Sequence, residues 1–305
     1  MRWWVKAVLQ KGISLLPESQ RIHDFLQRSV WRSLRIDDFF LADRLSHVNK
    51  HLAAWQASHP QQLPTHSLEI GTGWYPIVPI GLYLCGLDQI TSADLRAMLR
   101  PAQVNELMEW LLRWQQNGRL QQLLPRFQEE RWAKVKTSWQ SNPDTLDWLS
   151  QIGIKTWTGD ARQLPYPEAH IPLIHSNNTF EHIPRPILQG IMQELKRVLS
   201  SEGVMSHYID MADHYSYGDA SIGPFHFLRF AERSWSWLEN PFQAQNRMRI
   251  SQYAALFEEL GLVCDWSEIE RGSEAELQCQ SIALPFQNMD SEDLRVLYAQ
   301  AILKH

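Results

Sequence analysis

Residues 68–76 read LEIGTGWYP, and the fold turns on that stretch. Ser67, Leu68 and Ile70 make a short buried strand. Gly71 and Gly73 make a turn, and Ile77, Ile80, Leu84 and Cys85 then repeat with a helical period. Glycines at a strand-to-helix turn let backbone amides approach a ligand without interference from a Cβ, and Glu69 adds an acid at the end of the strand. By itself the motif is shared by nicotinamide enzymes, other nucleotide binders and plain α/β packing. A second apolar strand, 89–93, ends at Asp94, 25 residues after Glu69. A carboxylate there can accept two hydrogen bonds from a ribose diol, which suits dinucleotides and adenosyl cofactors alike. From Gly153 onward strands are predicted at 154–158, 171–176, 203–210 and 262–269, with helices at 187–200 and at 250–260, the latter stopped by Gly261. Strands alternating with helices predict an α/β fold whose parallel sheet is covered on both faces. Residues 294–304 read two ways: their composition allows a helix, whereas topology makes part of them a final antiparallel strand.

Two further segments follow in order. GDARQLPYP, 159–167, lies just past a strand and carries Asp160, and HSNNTFEHIPRP, 175–186, precedes a helix ending in ELKRVLSSEGV. Taken in sequence, the four pieces resemble the class I S-adenosylmethionine-dependent methyltransferases over residues 67 to about 270. The resemblance implies a Rossmann-like, mostly parallel seven-stranded sheet with helices on both faces. It also implies roles for single residues. Glu69, Gly71 and Gly73 would hold the methionyl part of S-adenosylmethionine and Asp94 its ribose. Asp160 and the backbone of Ala161 would meet the adenine, and Asn177 would stand where the fourth strand opens toward the transferred methyl group. The chain departs from the family pattern at three places. Tyr75, followed by Pro76, stands where a third glycine is common. Pro172 replaces the acid that usually starts the fourth strand. Residues 100–150 form an insertion.

Chemistry is expected beyond the carboxyl ends of the strands. Glu181-His182 follows the fourth strand, and SHYIDMADHY, 206–215, ends the fifth with His207, Asp210, Asp213 and His214. A hydroxyl acceptor must lose a proton, so His207, His214 or His182 is a candidate base, with Asp210 or Asp213 to orient it. A turn or core role is the plainer reading of each. The H-x2-D-x2-D-H spacing also admits a divalent ion, but no metal is assigned. Asn246-Arg247 and Arg249 read as anion ligands or as the solvated start of a helix, with solvation preferred.

Composition sets the outer limits. Hydrophobic residues are 44% and charged residues 21%, which excludes a disordered or fibrous chain. Cys85, Cys264 and Cys279 form no CxxC pair, so neither a disulfide framework nor a thiolate zinc site is expected. Residues 1–35 hold seven Lys/Arg against two acids, net +5, leaving −10 on the other 270 residues. An acidic body disfavours a nucleic-acid substrate unless Arg126, Arg131, Lys134 and Lys136 share one face. The basic arm, with Trp3 and Trp4, suits either peripheral contact with an anionic membrane or packing on the body. No stretch is long and apolar enough to span a membrane and no signal peptide is seen, so a soluble, cytoplasmic protein is expected.

A boundary near residue 65 predicts a helical cap or arm over 1–65 and the main domain over 66–305. The 14 Trp crowd partly into 100–150, where they serve as core of a helical cap or as a stacking platform for an acceptor. The expected function is methyl transfer, chiefly to oxygen, on a small-molecule, lipid or glycan acceptor. A silent binding or scaffold protein and an NAD(P)-dependent oxidoreductase are the alternatives.

Overall fold

A computed structural model describes residues 1–16, 36–124 and 126–305. Seven strands form one sheet: β1 (Ser67–Ile70), β2 (Ile90–Asp94), β3 (Ile154–Thr158), β4 (Ile171–Asn177), β5 (Leu199–Asp210), β6 (Val263–Arg271) and β7 (Val296–Lys304). Their order is β3-β2-β1-β4-β5-β7-β6. β1 pairs in parallel with β2 and with β4, and β2 pairs in parallel with β3. β7 runs against its neighbours. Gly272 donates to the carbonyl of Arg295 and Ser267 bonds Gln300, so one index rises as the other falls. Met211 likewise donates to Leu297, while Tyr208 stacks on Tyr298 at 6.1 Å. The ambiguous C-terminal segment is therefore a strand, preceded by a single helical turn at Ser291–Leu294. The sheet is mostly parallel, as the resemblance implied, and Rossmann-like in its strand order.

The chain divides into two compact units. One comprises the described residues of Met1–Arg35 together with Asn178–Gln189 and Tyr208–Ala301. The other comprises Ile36–Asn177, Gly190–His207 and Ile302–His305.

The second unit holds the larger apolar core. Helix α1 is Trp3–Ser14, in the first unit; the second unit opens with α2 (Asp38–Gln56), which Asp37 caps by accepting from the amide of Phe40 at 2.8 Å. Leu41, Leu45, Val48 and Leu52 line one face of α2 and pack on α3 (Ile77–Leu84), which is buried all round. The approach is close: a Cβ on Gly81 would lie 2.5 Å from the Val48 side chain, so glycine is needed there. The insertion is helical, as expected: α4 (Pro101–Gln116), α5 (Arg119–Leu123), α6 (Glu129–Ser141) and α7 (Asp147–Gln151). Trp114, Trp132 and Trp148 are wholly buried in the same core, so these three are packing residues and offer no platform to a ligand. Arg131 is bound to Asp88 at 2.6 Å and to the carbonyl of Leu87 at 2.9 Å. α8 (Arg185–Val198) then leads into β5.

In the first unit, α1 lays Trp3 against Tyr215, His226 and Phe230, and Asp219 accepts from the Trp3 amide at 2.7 Å. Trp4, Val8, Leu9 and Leu15 of the same segment stay exposed. The arm thus splits its two tryptophans between packing and solvent. Arg21, Arg28, Arg32 and Arg35 of the basic arm lie outside the described residues. Two short helices, α9 (Glu232–Leu238) and α10 (Ile250–Glu259), complete the features used below. Arg247 and Arg249 are buried, which overturns the expectation that they are solvated at the start of α10. Arg249 donates to the carbonyls of Met211 at 2.6 Å and Leu294 at 3.0 Å and also bonds that of Val296. Arg247 holds the carbonyls of Phe227 and Phe230 and the carboxylate of Glu232. Several carbonyls converge on each guanidinium, whose five donors suit that task.

Candidate active site

The parallel register of β1 against β2 matches Ile70 with Ala93, so the glycine turn and Asp94 leave the sheet at the same edge. Gly71 continues the ladder by donating to the carbonyl of Ala93 at 2.8 Å. Gly73 turns back and donates to the Asp94 carboxylate at 3.0 Å, and the other Asp94 oxygen accepts from the amide of Arg96 at 3.1 Å. Gly71 and Gly73 have φ of 82° and 66°, the left-handed region that favours glycine. A Cβ built on Gly73 would meet nothing within 4 Å, so the outer side of the turn is open. An open glycine turn hydrogen-bonded to a carboxylate at the end of the next strand fits an adenosyl cofactor.

Tyr75, where a third glycine was expected, is buried, and its hydroxyl bonds Glu106 at 3.1 Å. Pro76 stands just before α3, where its missing N–H leaves nothing unsatisfied. The turn therefore closes after Trp74, and Gly71 and Gly73 remain as its two glycines.

Glu69 lies inward of this turn, almost wholly buried. Ser92 donates to it at 3.1 Å and Ser92 also bonds Thr72. Burial raises its pKa to about 7, opposed by the Ser92 and Thr72 hydrogen bonds and assisted by the Asp94 charge. Asp160 is exposed and clasped by Arg162, whose guanidinium reaches it at 2.5 and 3.0 Å and whose amide reaches it at 3.0 Å. Hydrogen bonds from Arg162 hold its pKa near 2. Ala161 follows in the same turn.

Asn177 ends β4 and is held by a group the sequence reading did not single out. Its Oδ1 lies 2.9 Å from Nε2 of His51, and Nδ1 of His51 lies 2.7 Å from the Ser206 hydroxyl. An amide oxygen only accepts, so His51 carries its proton on Nε2 and Ser206 donates to Nδ1. The His175 ring lies 4.7 Å from that of His51, and His207 Nδ1 meets the Ser176 hydroxyl at 2.8 Å. Burial depresses these imidazoles, His51 to about 4, His207 to about 3 and His175 well below its ordinary value, so all three are neutral at pH 7. The signal was present as His47 and His51, spaced i, i+4 on the face of α2 beside its leucine stripe.

The remaining candidates belong to the other unit. Asp210 ends β5. Its Oδ2 lies 3.2 Å from Nε2 of His214 and accepts from Tyr217 at 2.6 Å. Tyr217 in turn bonds Tyr298, and burial beside Asp210 pushes its phenol far above the ordinary range. Asp213, the alternative orienter, is buried against His226 at 3.2 Å and is not paired with His214. His182 closes a single 3-10 turn, Phe180–His182. Its Nδ1 donates to the carbonyl of Ala244 at 2.7 Å, and its ring lies 4.9 Å from that of His214. Asp210, His214 and His182 are thus brought together, while His207 is grouped with Ser176.

Residues 130–206 match a family model described as a methyltransferase domain. That match and the sheet order together give the chain a Rossmann-like methyltransferase fold. No curated protein matches the sequence. Among solved structures, the chain resembles the plantazolicin methyltransferase BpumL in complex with SAH, at 12% identity over 99% of this chain and 96% of that one, TM-score 0.49. It also resembles the YcgJ protein from Bacillus subtilis, at 12% identity over 83% and 97%, TM-score 0.43. A third is an S-adenosylmethionine-dependent methyltransferase from Mesorhizobium loti, at 13% identity over 83% and 96%, TM-score 0.41.

The buried Glu69 makes stability depend on pH. The folded chain holds its proton up to about pH 7, the unfolded chain only to about 4.5. The contribution is therefore full below about pH 4.5 and is lost as pH rises through about 7. Replacing Glu69 by Gln removes that loss, so the variant gains on the wild type between those limits by at most about 3 kcal/mol. Denaturant titrations of both proteins at pH 5 and pH 8 measure it. A constant difference would show that Glu69 does not titrate there.

Proposed function

We propose that this chain is an S-adenosylmethionine-dependent methyltransferase acting on a hydroxyl of a small-molecule, lipid or glycan acceptor. The Gly71–Gly73 turn and Glu69 would hold the methionyl part of the cofactor and Asp94 its ribose. Asp160 with the backbone of Ala161 would meet the adenine, and Asn177 would face the methyl group. The observation that carries the cofactor assignment is the Gly73 amide on the Asp94 carboxylate, with open space over the turn. When bound, S-adenosylmethionine supplies a methyl group on a sulfonium, ready for in-line displacement.

The protein's part is to orient the two reactants and to take a proton. His214, with Asp210 beside Nε2 and Tyr217 bracing Asp210, has the arrangement of an oriented base. His182 is the second imidazole of that group, exposed to an incoming acceptor. The proton leaves the hydroxyl as the methyl group arrives, so an ether and a neutral thioether result. His207 is fully buried and bonded to Ser176, so we assign it a positioning role through Ser176.

Calorimetry with S-adenosylmethionine tests the cofactor roles. Binding is expected in the intact protein and is expected to collapse in Asp94→Ala. Once an acceptor is found, His214→Ala is expected to lower kcat by about 10²–10⁴-fold with cofactor affinity unchanged. No binding by the intact protein would return the silent scaffold reading.

We also propose peripheral contact between residues 1–35 and an anionic membrane surface. The exposed Trp4, Val8 and Leu9 on α1, opposite the packed Trp3 and Ala7, support it. No helix among the described residues is long and apolar enough to cross a membrane. Sedimentation with phosphatidylserine vesicles is expected to carry the intact protein down and to leave Trp4→Ser in solution. Equal sedimentation of the two would remove the proposal.

A further inference from the structure

The carboxyl end of β4 is followed within a few residues by Glu181 and His182, and that of β5 by His214. These three side chains converge: one ligand atom of each lies within 4.8 Å of the others. Two imidazoles and a carboxylate at such spacing are the donor set of a divalent first-row transition ion, with coordination positions left for water or an acceptor. We propose that Glu181, His182 and His214 form such a metal site.

Three features of the surroundings fit ligands better than isolated polar residues. His182 donates Nδ1–H to the carbonyl of Ala244 at 2.7 Å, which fixes the tautomer and leaves Nε2 as its lone-pair atom. Asp210 stands 3.2 Å from Nε2 of His214, a carboxylate–imidazole contact that orients a ligating ring. Glu181 is 1% exposed, so its carboxyl group is withdrawn from bulk water, as suits a ligand in the wall of a site. His182 is exposed and gives an entry path.

This set differs from the H-x2-D-x2-D-H reading of the sequence. Asp213 is buried against His226, and His207 is held by Ser176. The site itself stands on this geometry. Its use in catalysis, where His214 would serve as a ligand in place of the base assigned above and an ion would polarise the acceptor hydroxyl and make it easier to deprotonate, rests on the proposed O-methylation.

The test uses the full chain without acceptor, stripped by chelation and titrated with Zn²⁺ and with Mn²⁺ in a calorimeter. One ion per chain is expected. His182→Ala and His214→Ala are each expected to weaken binding at least tenfold. Asp210→Asn, a positioning change, is expected to weaken it by about 10–100-fold. His170→Ala, an exposed histidine outside the cluster, is the control and is expected to bind as the wild type does. Because His182 is itself exposed, its removal leaves the core intact, and thermal melting of the apo forms verifies this. Co²⁺ loaded into the intact protein is expected to show visible d–d absorption that is lost in His214→Ala. Absence of stoichiometric binding overturns the site, as does binding that His182→Ala and His214→Ala both leave unchanged. S-adenosylmethionine binding, measured on the same samples, separates failure of this site from failure of the methyl-transfer reading.

Discussion

Everything assigned to the cofactor depends on the register of β1 between β2 and β4. Ile70 opposite Ala93 and Ser176 means that three strands end together. Parallel pairing then gives their following turns a common edge, and the backbone itself connects two of them through Gly71 to Ala93 and Gly73 to Asp94. A shift of one residue would turn Leu68 and Ile70 out of the core and move the glycine turn away from Asp94. Apolar burial fixes the register, and the register fixes the site.

The second constraint is how polar groups are buried. α2 carries a leucine stripe toward α3 and a histidine stripe toward the strands. The second stripe costs desolvation, and its imidazoles respond by staying neutral. In return His51 ties Asn177 to Ser206, so the end of β4 is held from the helix side. In the other unit Arg249 performs the equivalent task for backbone, gathering the carbonyls of Met211, Leu294 and Val296. Removing either side chain would leave buried acceptors or donors without partners, which costs more than the bonds themselves contribute.

Much of the sheet was legible because its signals are local. Residues 154–158 form β3 with the expected bounds, and the helix stopped by Gly261 ends at Glu259. Gly71, Gly73 and Asp94 were legible for the same reason: turn chemistry and strand ends are written in neighbouring residues. Residues 296–304 were not, because their strand state is set by antiparallel partners far along the chain. Arg247 and Arg249 read as solvated because composition cannot show carbonyls converging from distant segments. His51 and His175 went unremarked because a helical histidine and a strand histidine become neighbours only in three dimensions. The Glu181–His182–His214 group has the same origin: both loops carried candidates in the sequence, but only the fold brings these three side chains together.

The central claim is that the glycine turn and Asp94 together hold the cofactor. Amide hydrogen exchange, with and without S-adenosylmethionine, tests it most directly. The account predicts slowed exchange at residues 71–74 and 94–96, with little change in the helices of the 100–150 insertion. Protection confined to other segments, with these two unaltered, would contradict it.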